Sequence, residues 1–210
     1  MPGRHVLTRG WPVVLRSGRI GLRPISRRDA ARWAELRRAN LDWLGPWEST
    51  RPPDSSGHSS GYRALTRDLI KQGKQGRALP FVVTFDDVMV GQLTVSSITW
   101  GSARWAQMGY WIDEGHAGRG IMPTAVAMAC DHCFSALGLH RIEIAIRPEN
   151  VASLRVVEKL GFTQIGIAPR YLHINGSWRD HLLFALTVEE VPEGVAARLR
   201  AHNSTDSHNP

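Results

Sequence analysis

A strand-like run that enters a glycine turn and then a helix constrains this chain more than any other segment. Residues 109–124 read GYWIDEGHAGRGIMPT, in which the apolar run Tyr110–Ile112 precedes the turn Gly118–Gly120 and then Pro123. Proline is tolerated in a first helical turn, where its missing N–H would have no partner. The free N–H groups of such a turn, aligned with the helix dipole, suit a pyrophosphate. Alone the pattern is weak evidence, since glycine is equally a plain turn residue.

A second segment has the features of a capped helix. Residues 150–162 read NVASLRVVEKLGF, where Asn150 can cap the helix through its side chain and Gly161 can end it in the left-handed conformation. The two segments together, in this order, resemble the phosphate-binding turn and the Asn-x-x-Ser...Gly-Phe helix of the GNAT superfamily of N-acetyltransferases.

Two further stretches narrow the resemblance. Residues 44–48 (LGPWE) and 169–187 (PRYLHINGSWRDHLLFALT) are similar to ribosomal-protein-alanine N-acetyltransferases of the RimJ/RimL type, and the resemblance covers residues 19–188. It implies an α/β (α+β) GNAT fold whose mixed, mostly antiparallel sheet has about seven strands, with splayed parallel strands 4 and 5 and about four helices.

Local patterns predict the elements of this domain. Apolar residues that alternate indicate strands, and those three or four apart indicate helices. Asp86-Asp87 and Asn175-Gly176 each indicate a hairpin turn. The predicted helices are Arg27–Leu41, Ser59–Gln75, Met122–Leu137 and the one between Asn150 and Gly161. The predicted strands are Gly18–Pro24, Leu79–Asp86, Val88–Ser97, Trp105–Ile112, His140–Arg147, Thr163–Ile174 and Ser177–Val188.

Composition and the termini set the expected organisation. The chain has 210 residues, 42% of them hydrophobic, which suffices for one sizeable domain. We expect an N-terminal extension at 1–18, the acetyltransferase domain at 19–190 and a disordered polar tail at 191–210. No apolar run approaches the roughly 20 residues of a membrane span, and the N-terminus lacks a signal-peptide core, so we expect a cytoplasmic protein without membrane contact.

The two cysteines fit a helix core rather than a metal site. Met122, Val126, Cys130, Cys133 and Leu137 recur at helical spacing and define one buried stripe. His132 lies beside the cysteines, but no second pair of ligands has matching spacing. The sequence therefore predicts no bound metal.

The charge favours polyanionic surroundings without indicating DNA recognition. The formal net charge is +7, from 26 basic and 19 acidic residues. Nucleic acid, ribosomal RNA or a nucleotide cofactor would all suit such a surface. The arginines are scattered, however, and form no long basic stripe, which a solvated helix face explains equally well. We therefore expect no direct sequence-specific binding of nucleic acid.

The resemblance implies a site for acetyl-CoA between the splayed strands. Backbone groups of Trp111 and Ile112 would pair with the pantetheine arm, and an amide near Trp111 would stabilise the oxyanion. His116 would lie near the phosphates, and Asn150 and Ser153 would complete the site from the helix. The pyrophosphate would be held by Gly118, Arg119, Gly120 and Ile121.

The catalytic groups are less constrained. Many superfamily members place a tyrosine seven residues after the motif asparagine to protonate the departing thiolate, but this chain has Val157 there. Ser153 is the nearest alternative, and it equally fits a structural role in the first helical turn. Glu143 or Glu48 is a possible general base, and each fits an ordinary surface ion pair as well. A further departure is Gly115, where the superfamily often has Gln or Arg.

The acceptor cleft would be bordered by the LGPWE loop and the last hairpin. Trp47, Glu48 and Tyr171 would contact the incoming amine, with Trp43 and Trp178 as further aromatic walls or core residues. The resemblance implies direct attack by the N-terminal α-amine of a protein, with a ribosomal protein as the best candidate. A small-molecule amine acetyltransferase and a CoA-binding module without activity are the alternatives. The sequence predicts no oligomeric state.

Overall fold

Alternating side chains of a central strand divide the hydrophobic core into two layers. On strand β3 (Leu79–Phe85), Phe81 and Val83 pack into a large cluster on one face, while Val82 packs with Leu36 and Tyr62 on the other. The computed structural model of the protein describes residues 10–54 and 61–206. Within these residues, helices cover both faces of one eight-stranded sheet.

The sheet is mixed and mostly antiparallel, as predicted. Its strand order is β1-β2-β3-β4-β5-β6-β8-β7, and the β5–β6 pair alone is parallel in the described part of the chain. The hairpins at Asp86-Asp87 and Asn175-Gly176 are confirmed, and all four turn residues have positive φ. The remaining strands are β1 (Leu15–Ser17), β2 (Ile20–Pro24), β4 (Val88–Thr99), β5 (Trp105–Ile112), β6 (Arg141–Ile146), β7 (Thr163–Ile174) and β8 (Ser177–Thr187).

The eighth strand comes from the expected N-terminal extension. β1 pairs with β2 from Leu15↔Leu22 to Ser17↔Ile20, and Trp11 is buried in the core against Phe81. Residues 10–17 are therefore part of the sheet and core rather than an extension, and residues 1–9 lie outside the described part. Three residues are too few for an alternating pattern to mark a strand.

The predicted splay is confirmed between β5 and β6. The two strands pair over Trp105↔Arg141, Ala106↔Ile142 and Gln107↔Glu143 only. Beyond that point β5 continues along β4 to Ile112, whereas β6 continues along β8 to Ile146. The sheet therefore has a gap along one half of these strands.

Six helices are described where four were expected. The predicted first helix begins as a 3₁₀ turn at Arg27–Asp29, held by a reciprocal cap between Ser26 and Asp29. The predicted third helix ends its α-helical part at His132 and continues as a π-helical turn over Cys133–Leu137. Residues 59 and 60 of the predicted second helix lie outside the described part. The helices are α1 (Ala30–Ala39), α2 (Leu41–Leu44), α3 (Tyr62–Lys74), α4 (Ile121–His132), α5 (Val151–Lys159) and α6 (Val195–Asp206).

The predicted disorder of the tail is wrong for residues 195–206. They form α6, which packs on α4 and buries Val195 and Leu199. The Asp131 carboxylate accepts hydrogen bonds from the N–H groups of Val195 at 2.6 Å and Ala196 at 3.1 Å, and so caps α6. Two apolar residues one turn apart anchor an otherwise polar segment. Composition alone does not reveal such an anchor.

The helix stripe that contains the cysteines is buried, as predicted. Cys130 and Cys133 have no exposed surface, and burial raises the pKa of the Cys133 thiol to about 12. Residues 10–54 and 61–206 contain no cluster of three or more potential metal-binding side chains. Among the helices of this part of the chain, none combines the length and apolar character needed to cross a membrane.

Candidate active site

The gap between β5 and β6 opens into a cleft of about 540 Å³. Its floor comes from β4, β5 and β6, and its walls come from α1, α5, the loop after α2 and the β7–β8 hairpin. The predicted residues that line it are Trp47, Glu48, Trp111, Asn150, Ser153 and Tyr171. The predicted residues outside the lining are Ile112, His116, Gly118, Arg119, Gly120, Ile121 and Glu143.

The backbone edge that faces the gap differs from the predicted one by one residue. The Asp113 N–H donates to the Val90 carbonyl at 2.8 Å, which marks a hydrogen-bonded position of the β4–β5 pair. Such positions alternate along antiparallel strands. The backbone groups of Trp111 therefore face β4, whereas those of Tyr110 and Ile112 face the gap. The role predicted for the Trp111 backbone fits Tyr110 instead.

The glycine turn beyond β5 presents the N-terminus of α4 to an open surface. Gly118 and Gly120 have φ of 72° and 73°, and a Cβ on either would meet no atom within 4 Å. The Thr124 hydroxyl donates to the Gly120 carbonyl at 2.8 Å and fixes the turn. The first-turn N–H groups of a helix have no acceptor inside the helix. This turn therefore offers hydrogen-bond donors where a bulky anion has room.

Positive side chains lie close to the turn. The guanidinium groups of Arg19 and Arg119 lie 4.3 Å and 4.8 Å from the Phe85 ring centroid. The ring of His116 packs edge-on against the same phenyl ring at 6.0 Å between centroids. Arg19 is paired with the Asp86 carboxylate, which lies 2.6 Å from its Nε, so Arg119 and the helix dipole are the groups that favour an anion at the turn.

His116 is oriented by a carboxylate. Its Nδ1 lies 2.6 Å from the Asp113 carboxylate, which also accepts from the Asn40 side chain at 2.7 Å. Burial alone would raise the pKa of Asp113, but these hydrogen bonds hold it below its ordinary value. The Asn40 side chain also accepts from the Glu114 N–H at 2.8 Å, which ties α1 to the segment that precedes the glycine turn.

The first turn of α5 closes the inner end of the cleft. Asn150 caps the helix as predicted, since its side chain accepts from the Ser153 N–H at 3.1 Å. The Ser153 side chain is half-buried, lines the cleft and lies within hydrogen-bonding reach of the Tyr110 phenol. The Tyr110 hydroxyl donates to the Ser153 carbonyl at 3.5 Å, and burial raises the pKa of this phenol. Val157 is buried in the core, with 1% of its surface exposed.

The acceptor wall is held by an arginine at each end. Arg37 forms an ion pair with Glu48 and lies over the Trp111 ring at 5.5 Å. Arg147 lies over the Trp47 ring at 5.3 Å and donates to the Pro46 carbonyl at 2.7 Å. The loop that carries Trp47 and Glu48 is therefore fixed against α1 and the end of β6.

Three polar side chains line the opposite part of the cleft. The Gln107 amide donates to the Tyr171 hydroxyl at 3.0 Å. The ring of His181 packs edge-on against Tyr171 with the centroids 5.8 Å apart, and 3% of the residue is exposed. β5, β7 and β8 each contribute one of these residues.

Glu143 is not brought into the cleft. Its carboxylate accepts from the Arg141 Nε at 2.7 Å, which agrees with the ion-pair interpretation. Trp178 also lies away from the cleft: it is 54% exposed and contacts His173. Trp43 is half-buried, and its indole N–H donates to the Ile112 carbonyl at 3.1 Å. The aromatic wall therefore contains Trp47 and Tyr171 but not Trp178.

The cleft residues that sequence reasoning missed include Arg37, Tyr110, Arg147 and His181. The β8 alternation places His181 on the same face as Leu183 and Ala185, and this parity was readable in the sequence. The side to which the Tyr110 backbone groups point and the orientation of the Arg37 and Arg147 side chains depend on neighbouring elements. They cannot be predicted from the sequence of a single segment.

Comparisons with known proteins agree with this architecture. A model of the acetyltransferase (GNAT) domain matches residues 19–163. The ribosomal protein uS5-alanine N-acetyltransferase of Escherichia coli (strain K12) is 33% identical over 184 residues, which covers 87% of this chain and 94% of that protein.

Two solved structures are also similar. Mycobacterium smegmatis RimJ in complex with CoA-disulfide superimposes with a TM-score of 0.84 at 41% identity, covering 92% of this chain and 96% of that one. The ribosomal-protein-S5-alanine acetyltransferase from Vibrio fischeri superimposes with a TM-score of 0.74 at 32% identity, covering 83% and 96%.

Proposed function

The chain belongs to the GNAT acetyltransferase family, and from this premise we propose that it moves acetyl from acetyl-CoA to the N-terminal α-amine of a ribosomal protein. The observation that carries the proposal is that β5 borders the β5–β6 gap and its chain then leads within nine residues to the helix N-terminus at α4, beginning at Ile121. A long, flexible thioester with a pyrophosphate in its middle fits a slot that ends at a helix N-terminus.

Backbone donors support the choice of acetyl-CoA. The gap-facing backbone groups of Tyr110 and the N–H of Ile112 offer strand-like hydrogen bonds to a pantetheine arm, while the Ile112 carbonyl already accepts from Trp43. The turn Gly118–Ile121 offers N–H groups to the pyrophosphate, with Arg119 as a nearby positive charge. No metal is needed in this arrangement, because amides and arginine supply the positive potential.

The reaction is a direct attack in a ternary complex. The neutral amine attacks the thioester carbonyl, a C–N bond forms, and the C–S bond breaks. A gap-facing N–H of Tyr110 or Ile112 donates to the oxygen on which negative charge develops. The Ser153 hydroxyl donates a hydrogen bond to the departing sulfur, which takes up a proton as CoA thiol.

The walls of the cleft support a peptide acceptor. The Trp47 and Tyr171 rings can flank a peptide backbone, and the Glu48 carboxylate, paired with Arg37, lines the same cleft. The isolated bridge between Ser49 and Ile174 joins the loop to the last hairpin beside this entrance. The relatives that act on ribosomal protein N-termini support the substrate class.

The acceptor assignment is tested with competing amines. We would incubate the enzyme and acetyl-CoA with peptides that carry a free α-amine and an internal lysine, and map the product by fragmentation mass spectrometry. A matched peptide with a blocked N-terminus controls for lysine modification. We expect acetylation at the N-terminus alone. Predominant lysine modification, or turnover only with small free amines, would contradict the protein N-terminal assignment. CoA binding without turnover on any amine would indicate a binding module.

A further inference from the structure

A buried histidine on the acceptor wall has no role in the steps described so far. We propose that the Nε2 atom of His181 accepts the proton of the attacking amine, an inference that rests on the acetyl transfer proposed above. The position of His181 beside the cleft is determined by the register of the sheet and not by a sequence motif. It pairs with Ala168 on β7 and precedes Leu182, which pairs with Ile146 at the end of β6.

The register places His181 at the gap. β6 ends at Ile146, so the side of β8 that carries His181 borders the cleft beyond the last β6 pair. The residue lines the cleft although it is 3% exposed, and its ring packs edge-on against Tyr171. A buried ring with one face to a ligand cleft can exchange a proton with a bound amine and little with bulk water.

A backbone hydrogen bond sets the tautomer. The Nδ1 atom lies 3.0 Å from the Arg179 carbonyl oxygen. A carbonyl only accepts hydrogen bonds, so Nδ1 carries the hydrogen and Nε2 keeps its lone pair. The ring is therefore held in the orientation and tautomer that a proton acceptor at Nε2 requires.

The charges around the ring keep it neutral. Burial lowers the pKa of His181 below its ordinary value, the bond to Arg179 opposes this, and the positive charge of Arg147 adds to the lowering. Glu149 and Asp180 raise the pKa by smaller effects. Across the cleft the Arg37–Glu48 ion pair is internally compensated, and Tyr171 is the titratable group of β7 in contact with the ring. The net result is a neutral imidazole at pH 7.

The two carboxylates expected from the sequence are less suited to the role. Glu143 is hydrogen-bonded to Arg141 and Glu48 is paired with Arg37. A carboxylate oxygen that already accepts from a guanidinium is less accessible to the proton of a substrate amine. Neutral His181 has no such partner at Nε2 among the described residues.

The proton balance is complete. The nitrogen becomes more acidic as the C–N bond forms, so a base weaker than the free amine can take its proton. One proton passes to Nε2, which becomes an imidazolium and later releases it to solvent. The amide nitrogen keeps its other hydrogen, and the departing thiolate takes up one proton from solvent and leaves as the thiol, so one proton is released and one is taken up. No other reactant is required.

The test uses His181→Asn, whose shorter amide can still donate to the Arg179 carbonyl but offers no base. We expect turnover to fall by about 100-fold or more, with CoA affinity and KM for the acceptor changed little. The acidic limb of the kcat/KM profile should lose the contribution of a group that titrates below pH 6.5 in the wild type. His181→Gln provides a second variant if Asn lowers stability.

The matched control is His132→Asn. His132 is equally buried and also has one ring nitrogen bonded to a backbone carbonyl, that of Gly10 at 3.0 Å, but it lies on α4 away from the cleft. This variant should unfold more easily and keep the wild-type pH profile. Imidazole added to His181→Ala should restore part of the turnover, whereas added imidazole should not affect His132→Asn.

The outcomes separate this inference from the proposed function. The wild-type enzyme is first assayed for thiol release with N-terminal peptides and small amines, and the variants are compared on whichever amine it acetylates. Near-wild-type turnover of His181→Asn would overturn the inference, as would a loss with an unchanged pH profile and no imidazole rescue. Absence of transfer to any peptide by the wild type would count against the proposed acceptor alone.

Discussion

Gly120 combines a left-handed backbone with a position where an anion is expected. Its φ of 73° disfavours any side chain by about 1–2 kcal/mol, although the space around it is open. Gly120→Glu adds a negative charge where the pyrophosphate would lie. We expect CoA affinity to fall by roughly 100-fold or more, measured by isothermal titration calorimetry.

A matched glycine separates strain from charge. Gly101 has φ of 74° and equally open surroundings, and it lies in the turn between β4 and β5, far along the chain from α4. Gly101→Glu should lower stability by a similar amount and leave CoA affinity unchanged. Unchanged affinity in a folded Gly120→Glu variant would remove the assignment of the pyrophosphate to this turn.

Ser153 is expected to act on charge that develops only during the reaction. If its hydroxyl donates to the departing sulfur, Ser153→Ala should lower kcat by roughly 100-fold and alter CoA affinity little. The cap by Asn150 uses the backbone N–H of residue 153 and survives the change. Steady-state kinetics with calorimetry provide both values.

The opposite result has a clear interpretation. Equal losses of turnover and affinity, or no loss in either, would return Ser153 to a structural role in the first turn of α5 and leave solvent as the acid. Ser135→Ala is the control: that hydroxyl donates to the Asp131 carbonyl at the other end of α4, and its loss should leave the kinetics unchanged.

At the scale of the elements, β5 pairs with β4 along one edge, while its other edge pairs with β6 only up to Gln107. Its backbone groups alternate between the β4 ladder and the gap, so CoA should protect every second amide. We expect hydrogen exchange at Tyr110 and Ile112 to slow on CoA addition. Gly109 and Trp111 should be protected with and without the ligand, since they face β4. NMR-detected exchange resolves the four amides.

A different protection pattern would contradict the register. Protection gained equally at all four positions would indicate general stiffening of β5 rather than pairing with a ligand. The Gly120→Glu variant, titrated with the same CoA concentration, shows how much of the change depends on binding.

The elements themselves were largely readable from the sequence. β5 matches its predicted bounds, and the buried alternation of Ile142, Ile144 and Ile146 on β6 is as expected. Asn150, Gly161 and the two hairpin turns act through local chemistry, which one segment specifies. The candidate site was readable only where it depends on such motifs. His181 and the free backbone of Tyr110 depend on strand register, which involves residues far apart in the chain.

At the scale of the whole molecule, the segments at both ends of the described chain, residues 10–17 and 195–206, belong to the core. Trp11 packs beneath β3, and α6 packs on α4 through Val195 and Leu199. Both segments looked dispensable in the sequence because β1 has three residues and α6 is mostly polar. Both segments contribute through contacts with distant parts of the chain: β1 pairs with β2, and α6 packs on α4. Composition alone does not predict such contacts.

The gap also affects how ligand binding changes the stability of the molecule. The sheet consists of a five-stranded plate and a three-stranded plate, joined at one end by three residue pairs. In the proposed binding mode, a cosubstrate between them adds hydrogen bonds across the gap, so we expect the thermal stability of the enzyme to rise with ligand concentration. After each acetyl transfer, these hydrogen bonds must break before CoA can leave. The interactions that position acetyl-CoA for the reaction are therefore also expected to slow the release of the product CoA.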